Sequence, residues 1–77
     1  MKVTTNNGFP DATDEMKLAF MRNKRDVLLA QTDWTQMQDS PLSDSKKQEF
    51  ARYRQQLRDF PSTWTPADTA EFPDMPT

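Results

Sequence analysis

The sequence predicts a mainly α protein: a two-helix antiparallel hairpin with an extended, Pro-rich C-terminal strap. Three observations predict it. Apolar residues recur at helical spacing between Met16 and Ala30 and again between Phe50 and Phe60. A connection rich in helix-stopping side chains separates the two runs. Four of the six prolines fall after Phe60, where periodicity ends.

Residues 1–10 (MKVTTNNGFP) read as an N-terminal arm. They hold the only glycine, Gly8, behind Asn6 and Asn7, a set that tolerates positive φ and predicts a turn. Lys2–Thr5 has the make-up of a short extended piece. Helix one is expected over about 11–32, with Asp11, Thr13 and Asp14 as competing N-caps and Asp14 and Glu15 at the positive end of its dipole. At about 100° per residue, Met16, Ala19, Phe20, Val27 and Ala30 fall on one stripe, and Leu18, Met21, Leu28 and Leu29 fall on roughly the opposite side. A helix apolar on two sides needs more cover than one neighbouring helix gives. Either the chain folds back over the second side or another molecule covers it, and both readings stay open.

Residues 33–42 (DWTQMQDSPL) form the connection. Asp33, Thr35, Asp39 and Ser40 compete for backbone amides, and Pro41 disfavours the helical conformation at Ser40. Trp34 lies just past helix one, as a plug over the junction or as an anchor for a partner's pocket. Helix two is expected over about 43–60, with Ser43 as N-cap and Ser45 with Gln48 as a competing capping box. Its stripe, Phe50, Tyr53, Leu57 and Phe60, is narrow and suits one neighbouring helix. Pro61 is expected to end it and to push Phe60 towards extended geometry. Residues 61–77 then read as an extended tail, partly polyproline II, carrying Trp64, Phe72 and Met75 at intervals suited to a groove on this chain or another.

Composition bounds the function. In 77 residues only 34% are hydrophobic, and neither Cys nor His occurs. A core this small supplies only about 3–5 kcal/mol without a staple, and neither a disulfide nor a His or Cys metal site is available. An oligomer or a partner surface is the remaining way to complete burial. Without Cys or His, thiolate and Ser–His–Asp nucleophile systems are excluded. The carboxylates read as helix-end and loop caps rather than as an acid–base pair, so no enzyme, cofactor or metal is expected. The net charge of −2 argues against nucleic acid as the main partner, and no apolar run is long enough to span a membrane. The segment after Met1 has no apolar core of the kind a signal peptide needs.

Charge divides unevenly along the chain. Residues 17–60 carry nine basic and six acidic side chains, hence +3, whereas 61–77 carry three acidic and no basic ones, hence −3. The helical part is therefore expected to hold the tail. Arg25, Arg54 and Arg58 are the candidates, forking onto carboxylates or carbonyls.

The stretch from Arg25 to Pro61 also carries a recognisable signature. Its residues are Arg25, Leu28, Leu29, Thr32, Asp33, Trp34, Asp39, Pro41, Leu42, Tyr53, Arg54, Leu57, Arg58, Asp59 and Pro61, in the blocks TDWTQ and YRQQLRDFP. This pattern, covering about half of the chain, resembles the phage tail assembly chaperone family, the small caudovirus tail and tail-fibre assembly proteins. The resemblance implies a non-enzymatic protein that binds another phage tail, baseplate or fibre protein, with these positions and the tail aromatics Trp64 and Phe72 as the family-defining or partner-binding set. It implies action in the host cytoplasm during assembly or residence in the virion tail. A permanent baseplate–fibre adaptor, present in several copies or as a homo-oligomer, is the alternative. A small regulatory protein associated with nucleic acid is a third reading from a different class.

Overall fold

The computed structural model describes residues 1–76. Strand β1 (Lys2–Thr4) is followed by helix α1 (Asp14–Thr32), a 3₁₀ turn (Asp33–Gln36), helix α2 (Asp44–Thr63) and strand β2 (Thr69–Glu71). The protein is mainly helical, and a two-stranded antiparallel sheet joins its ends, with Lys2 opposite Glu71, Val3 opposite Ala70 and Thr4 opposite Thr69.

Local chemistry sets the helix starts. Thr13 caps α1 by accepting the Met16 amide at 3.2 Å, so the helix begins three residues later than the sequence pattern places it; of the competing caps, Thr13 is the one used. Ser43 caps α2 through the Lys46 amide at 3.1 Å. Asn7 (φ 51°) and Gly8 (φ 80°) both take left-handed backbone in the predicted turn, which the Asn6 side chain braces by accepting the Gly8 amide.

The end of α2 departs from expectation. Pro61 lies inside the helix, which runs on to Thr63, and Phe60 is helical rather than extended. A proline in the last turn removes only one amide donor, the one that would reach the Leu57 carbonyl, and neighbouring hydroxyls bond the carbonyls further on. Ser62 donates to the Asp59 carbonyl (2.7 Å) and Thr63 to the Phe60 carbonyl (3.2 Å). The extra turn also brings Phe60 between Trp64 and Phe72, with ring centroids 6.3 and 4.7 Å away, and that burial offsets the cost of Pro61.

Packing between the helices follows two cross-links. Leu29 and Thr32 of α1 reach Arg54 of α2, while Gln36 reaches Lys47. Positions rise in one helix as they fall in the other, so the helices run in opposite senses. Met21 and Leu28 meet Phe50, Tyr53 and Leu57 in the core, and Ala70 and Phe72 of the returning tail close its far end. The molecule measures 45 × 18 × 18 Å. A width of 18 Å matches two helices of about 10 Å each side by side, and the equal depth of 18 Å leaves room for the sheet and the N-terminal turn beside them.

The tail is not a free polyproline segment. Residues 69–71 form β2, hydrogen bonds between Phe72 and Met1 extend the ladder, and the Thr5 amide donates to the Asp68 carbonyl at 2.8 Å. Thr5, fully buried, also donates through its hydroxyl to the Ala67 carbonyl. Sequence periodicity cannot find a three-residue strand whose partner lies about 70 positions away, because each strand alone is too short to carry a pattern.

Candidate partner-binding surface

The junction between the helices is built around Arg54. Its guanidinium is buried and donates from Nη1 to the Leu29 carbonyl (2.6 Å) and to Thr32 Oγ1 (2.8 Å), and from Nη2 to Asp33 Oδ1 (2.5 Å). Thr32 in turn donates to the Leu28 carbonyl at 2.9 Å, and the fully buried Thr35 donates to the Thr32 carbonyl at 2.6 Å. A planar fork reaches three acceptors around the end of α1: a backbone carbonyl, a hydroxyl and a carboxylate. Among the described residues, every buried side-chain nitrogen and oxygen has a partner.

Sequence reasoning places Arg54, Thr32 and Asp33 in one set, and the structure brings them together. It does not bring Arg25 and Arg58 to the tail. Arg25 donates to its neighbour Asp26 (3.0 Å), and Arg58 lies exposed on α2. The acidic tail is met by other cations: Lys17 pairs with Asp68 at 2.9 Å, and the Met1 ammonium lies 3.1 Å from Asp74 and 3.8 Å from Glu71. The reason is geometric. The tail returns to β1 and the start of α1, so Arg25 sits further along the rod, while Arg58, near the end of α2, stays in solvent.

The remaining positions divide by burial. Leu28, Tyr53 and Leu57 form the core, Leu29, Leu42 and Trp64 pack against it, and Asp39 and Asp59 are exposed. Asp59 accepts from Gln55 one turn earlier. Phe72 is buried within its own chain, so of the two grooves open to a tail aromatic it occupies the internal one. Trp34 leans on Phe50 at 6.3 Å with 46% of its surface in solvent, and Thr35 rather than Trp34 fills the junction.

The outer face of α1 is the contrasting region. Met16 is 51% exposed, Val27 is 41% exposed, Ala19 and Ala30 are exposed, and Phe20 is half-buried. Beside its first turns stands the N-terminal turn, and between them lies an open cavity of about 350 Å³ lined by Thr5, Asn6, Asn7 and Phe9 on one side and Met16, Ala19, Phe20 and Asn23 on the other. Sequence reasoning identified the stripe but not Phe9, whose place beside it depends on the turn at Asn7–Gly8. Trp34 and Met37 continue the exposed apolar surface past the end of α1. An apolar strip with few charges can do little chemistry, but it can bury itself against another surface.

Electrostatics adds little to this surface. Glu49, half-exposed on α2, is held below the ordinary carboxylate range by its hydrogen bond to Lys46 and that residue's charge, with a smaller contribution from Arg52. Burial pushes the Tyr53 phenol up. Neither group lies on the outer face. Among the described residues no three His, Cys, Asp or Glu side chains are grouped to hold a metal ion, and no helix is long and apolar enough to cross a membrane.

Residues 18–77 match a family model described as phage tail assembly chaperone protein. Neither a search of curated proteins nor one of solved structures gives a match.

Proposed function

Because the chain belongs to the phage tail assembly chaperone family, we propose that it binds another tail protein while a tail or tail fibre is being built, without catalysing a reaction. The observation that carries this reading is the solvent-exposed apolar face of α1, running from Met16 through Val27, with exposed Trp34 and Met37 just past its end. An assembly factor holds a subunit by covering apolar surface that the subunit later buries elsewhere, so it needs such a face ready and solvent-exposed.

The family-type positions take two roles on this proposal. Leu28, Thr32, Asp33, Tyr53, Arg54 and Leu57 hold the hairpin in shape. Trp34, with Met16, Phe20 and Val27, meets the partner, and Arg25, Asp39, Arg58 and Asp59 form its polar surround. The arm over 1–10 and the strap over 64–76 brace the helical hairpin by pairing with each other, with Trp64 and Phe72 as internal anchors. Assembly would take place in the host cytoplasm, with the partner a tail, baseplate or fibre protein.

Co-expression with individual tail proteins, followed by affinity capture and size-exclusion, tests this. We expect one tail protein to be retained, and Val27→Lys to abolish retention while the helical circular dichroism stays unchanged. Retention unaffected by changes on the outer face would move the partner site elsewhere. Mass spectrometry of purified virions checks the transient role: a stoichiometric amount of this chain in particles would replace the chaperone with a resident adaptor.

A further inference from the structure

We propose that the free edge of β1 takes an extended segment of the partner as a third strand, with one large apolar side chain of that segment seated in the cavity beside the N-terminal turn. The sheet has two strands, so each has one edge that its neighbour does not use. Which groups face outward follows from the ladder. Met1 and Phe72 bond each other in both directions at 2.7 Å, and the Thr5 amide donates to Asp68, so Met1, Val3 and Thr5 are the positions bonded to β2. Bonded and free positions alternate along an antiparallel strand. The amides and carbonyls of Lys2 and Thr4 therefore point away from β2, and no hydrogen bond among the described residues uses them. Both residues are exposed. Two donors and two acceptors one pleat apart match the outward row of another strand. A helix, whose own amides are bonded internally, offers no such row.

The opposite edge of the sheet is closed to the same approach. The outward positions of β2 are Thr69 and Glu71, and the next one along is Pro73, which has no amide to donate. Asp68, Glu71 and Asp74 gather negative charge on the same strand and its continuation. Proline and like charge are the means by which an edge is kept from pairing. β1, by contrast, has no proline and a single charge, with β-branched Val3 and Thr4 suited to a strand.

Charge and shape define the occupant further. Lys2 makes no ion pair among the described residues, whereas Glu71 opposite it is met by the Met1 ammonium at 3.8 Å. A segment with a carboxylate across from Lys2 pairs with that free charge. Past Thr4 the chain forms one wall of the cavity through Thr5, Asn6 and Asn7, so a strand laid on β1 ends beside it. Phe9, Met16 and Phe20 give the cavity its apolar lining, and about 350 Å³ holds one large apolar side chain. The segment is thus extended, acidic at one position and apolar at the end beside Thr5. This deepens the assembly reading, because the segment is taken to belong to the tail protein that α1 holds. The test concerns this chain alone.

A random library of linear peptides, panned against the purified full chain, is the probe, with circular dichroism as the control for folding. Enriched peptides are expected to combine an acidic residue with a large apolar one. They should bind Thr4→Pro at least about tenfold more weakly, since proline at an outward edge position keeps the strand and deletes one donor. Thr69→Pro, the matching change on β2, should leave their affinity unchanged. Lys2→Glu should weaken them about threefold to tenfold without touching the backbone, and it carries the test if Thr4→Pro loses helicity. Ala19→Trp, which fills the cavity, should remove the preference for a large apolar residue. Val27→Lys should not change peptide binding, which separates failure of this inference from failure of the outer face of α1 as a partner site. An empty selection would overturn the proposal. So would peptides that bind Thr4→Pro and Lys2→Glu as well as wild type, or that Thr69→Pro weakens equally. A concentration-dependent dimer abolished by Thr4→Pro would put a second copy on the edge and overturn it too.

Discussion

The two long faces of α1 have similar apolar content and opposite fates. Leu18, Met21, Leu28 and Leu29 lie against α2, with Met21 wholly buried; Met16, Ala19, Val27 and Ala30 look outward. The difference comes from α2, not from α1. The stripe of α2 is a single narrow arc of Phe50, Tyr53, Leu57 and Phe60, and one helix laid along another can cover only one side of it. The lesson is that an apolar stripe predicts burial only when a partner of matching length exists in the same chain. Where none exists, the stripe marks a surface for another molecule.

This contrast can be broken from the inside first. Leu57 is 0% exposed, and Leu57→Ala should lower unfolding stability by about 2–5 kcal/mol in urea titration, the range for a large-to-small change in a core. A domain of this size has only about 3–5 kcal/mol available, so this variant should be substantially unfolded near 37 °C. A loss below about 1 kcal/mol would mean that the helices do not pack as described.

Next in size is the Arg54 junction. Arg54→Met takes one donor from the Leu29 carbonyl and one from the buried Thr32 hydroxyl, and should cost about 1–3 kcal/mol. Asp33 adds little to that figure, because its side chain is 59% exposed and water screens the pair. Arg54→Lys should recover only part of the loss, since an ammonium cannot span three acceptors in one plane.

Trp34 lies between the two regimes. Its ring touches Phe50 yet is half in water, so Trp34→Ala should cost about 0.5–1.5 kcal/mol, well short of Leu57→Ala. On the outer face, Met16→Ala, like Arg22→Ala and Gln55→Ala on exposed positions, should stay within about 0.5 kcal/mol of wild type. Thermal melts of these variants alongside Leu57→Ala sharpen the comparison: equal losses on both faces of α1 would abolish the distinction.

The smallest effect is one of pH. Tyr53 is 3% exposed, and its burial raises the phenol above its ordinary value near 10. The unfolded chain therefore ionises first. The stability this group contributes is complete below the unfolded pKa and is lost as pH rises through the folded one. Urea midpoints should fall at high alkaline pH, and Tyr53→Phe should flatten that part of the profile. Glu49 works in the other direction: its lowered pKa contributes stability at neutral pH that is lost on acidification. Solvent screens this surface pair, so Glu49→Gln should be indistinguishable from wild type in the same titration.

Much of this was legible from the chain. The helices, the Ser43 cap, the turn at Asn7–Gly8 and the narrow stripe of α2 all rest on interactions between near neighbours, where residue type is nearly sufficient. The candidate surface was half legible: the outer stripe follows from spacing, whereas the burial of Phe72 and the half-exposure of Trp34 do not. The expectation that Pro61 stops α2 failed because a proline in the last turn forfeits one amide bond only, and the contacts of Phe60 with Trp64 and Phe72 outweigh it. The expected hold of arginines on the tail failed because charge totals carry no distances.

The sequence by itself determined that this chain forms two helices, that one of them is apolar on two sides, and that its chemistry excludes thiolate and imidazole catalysis. Those properties are set within a few residues or by composition alone. Only the tertiary structure decided which stripe of α1 turns inward, that the chain's two ends meet as a sheet, and that Arg54 closes the helix junction. Each depends on which distant groups come within contact range. In a rod two helices wide, that choice is made by the one narrow stripe available to cover another.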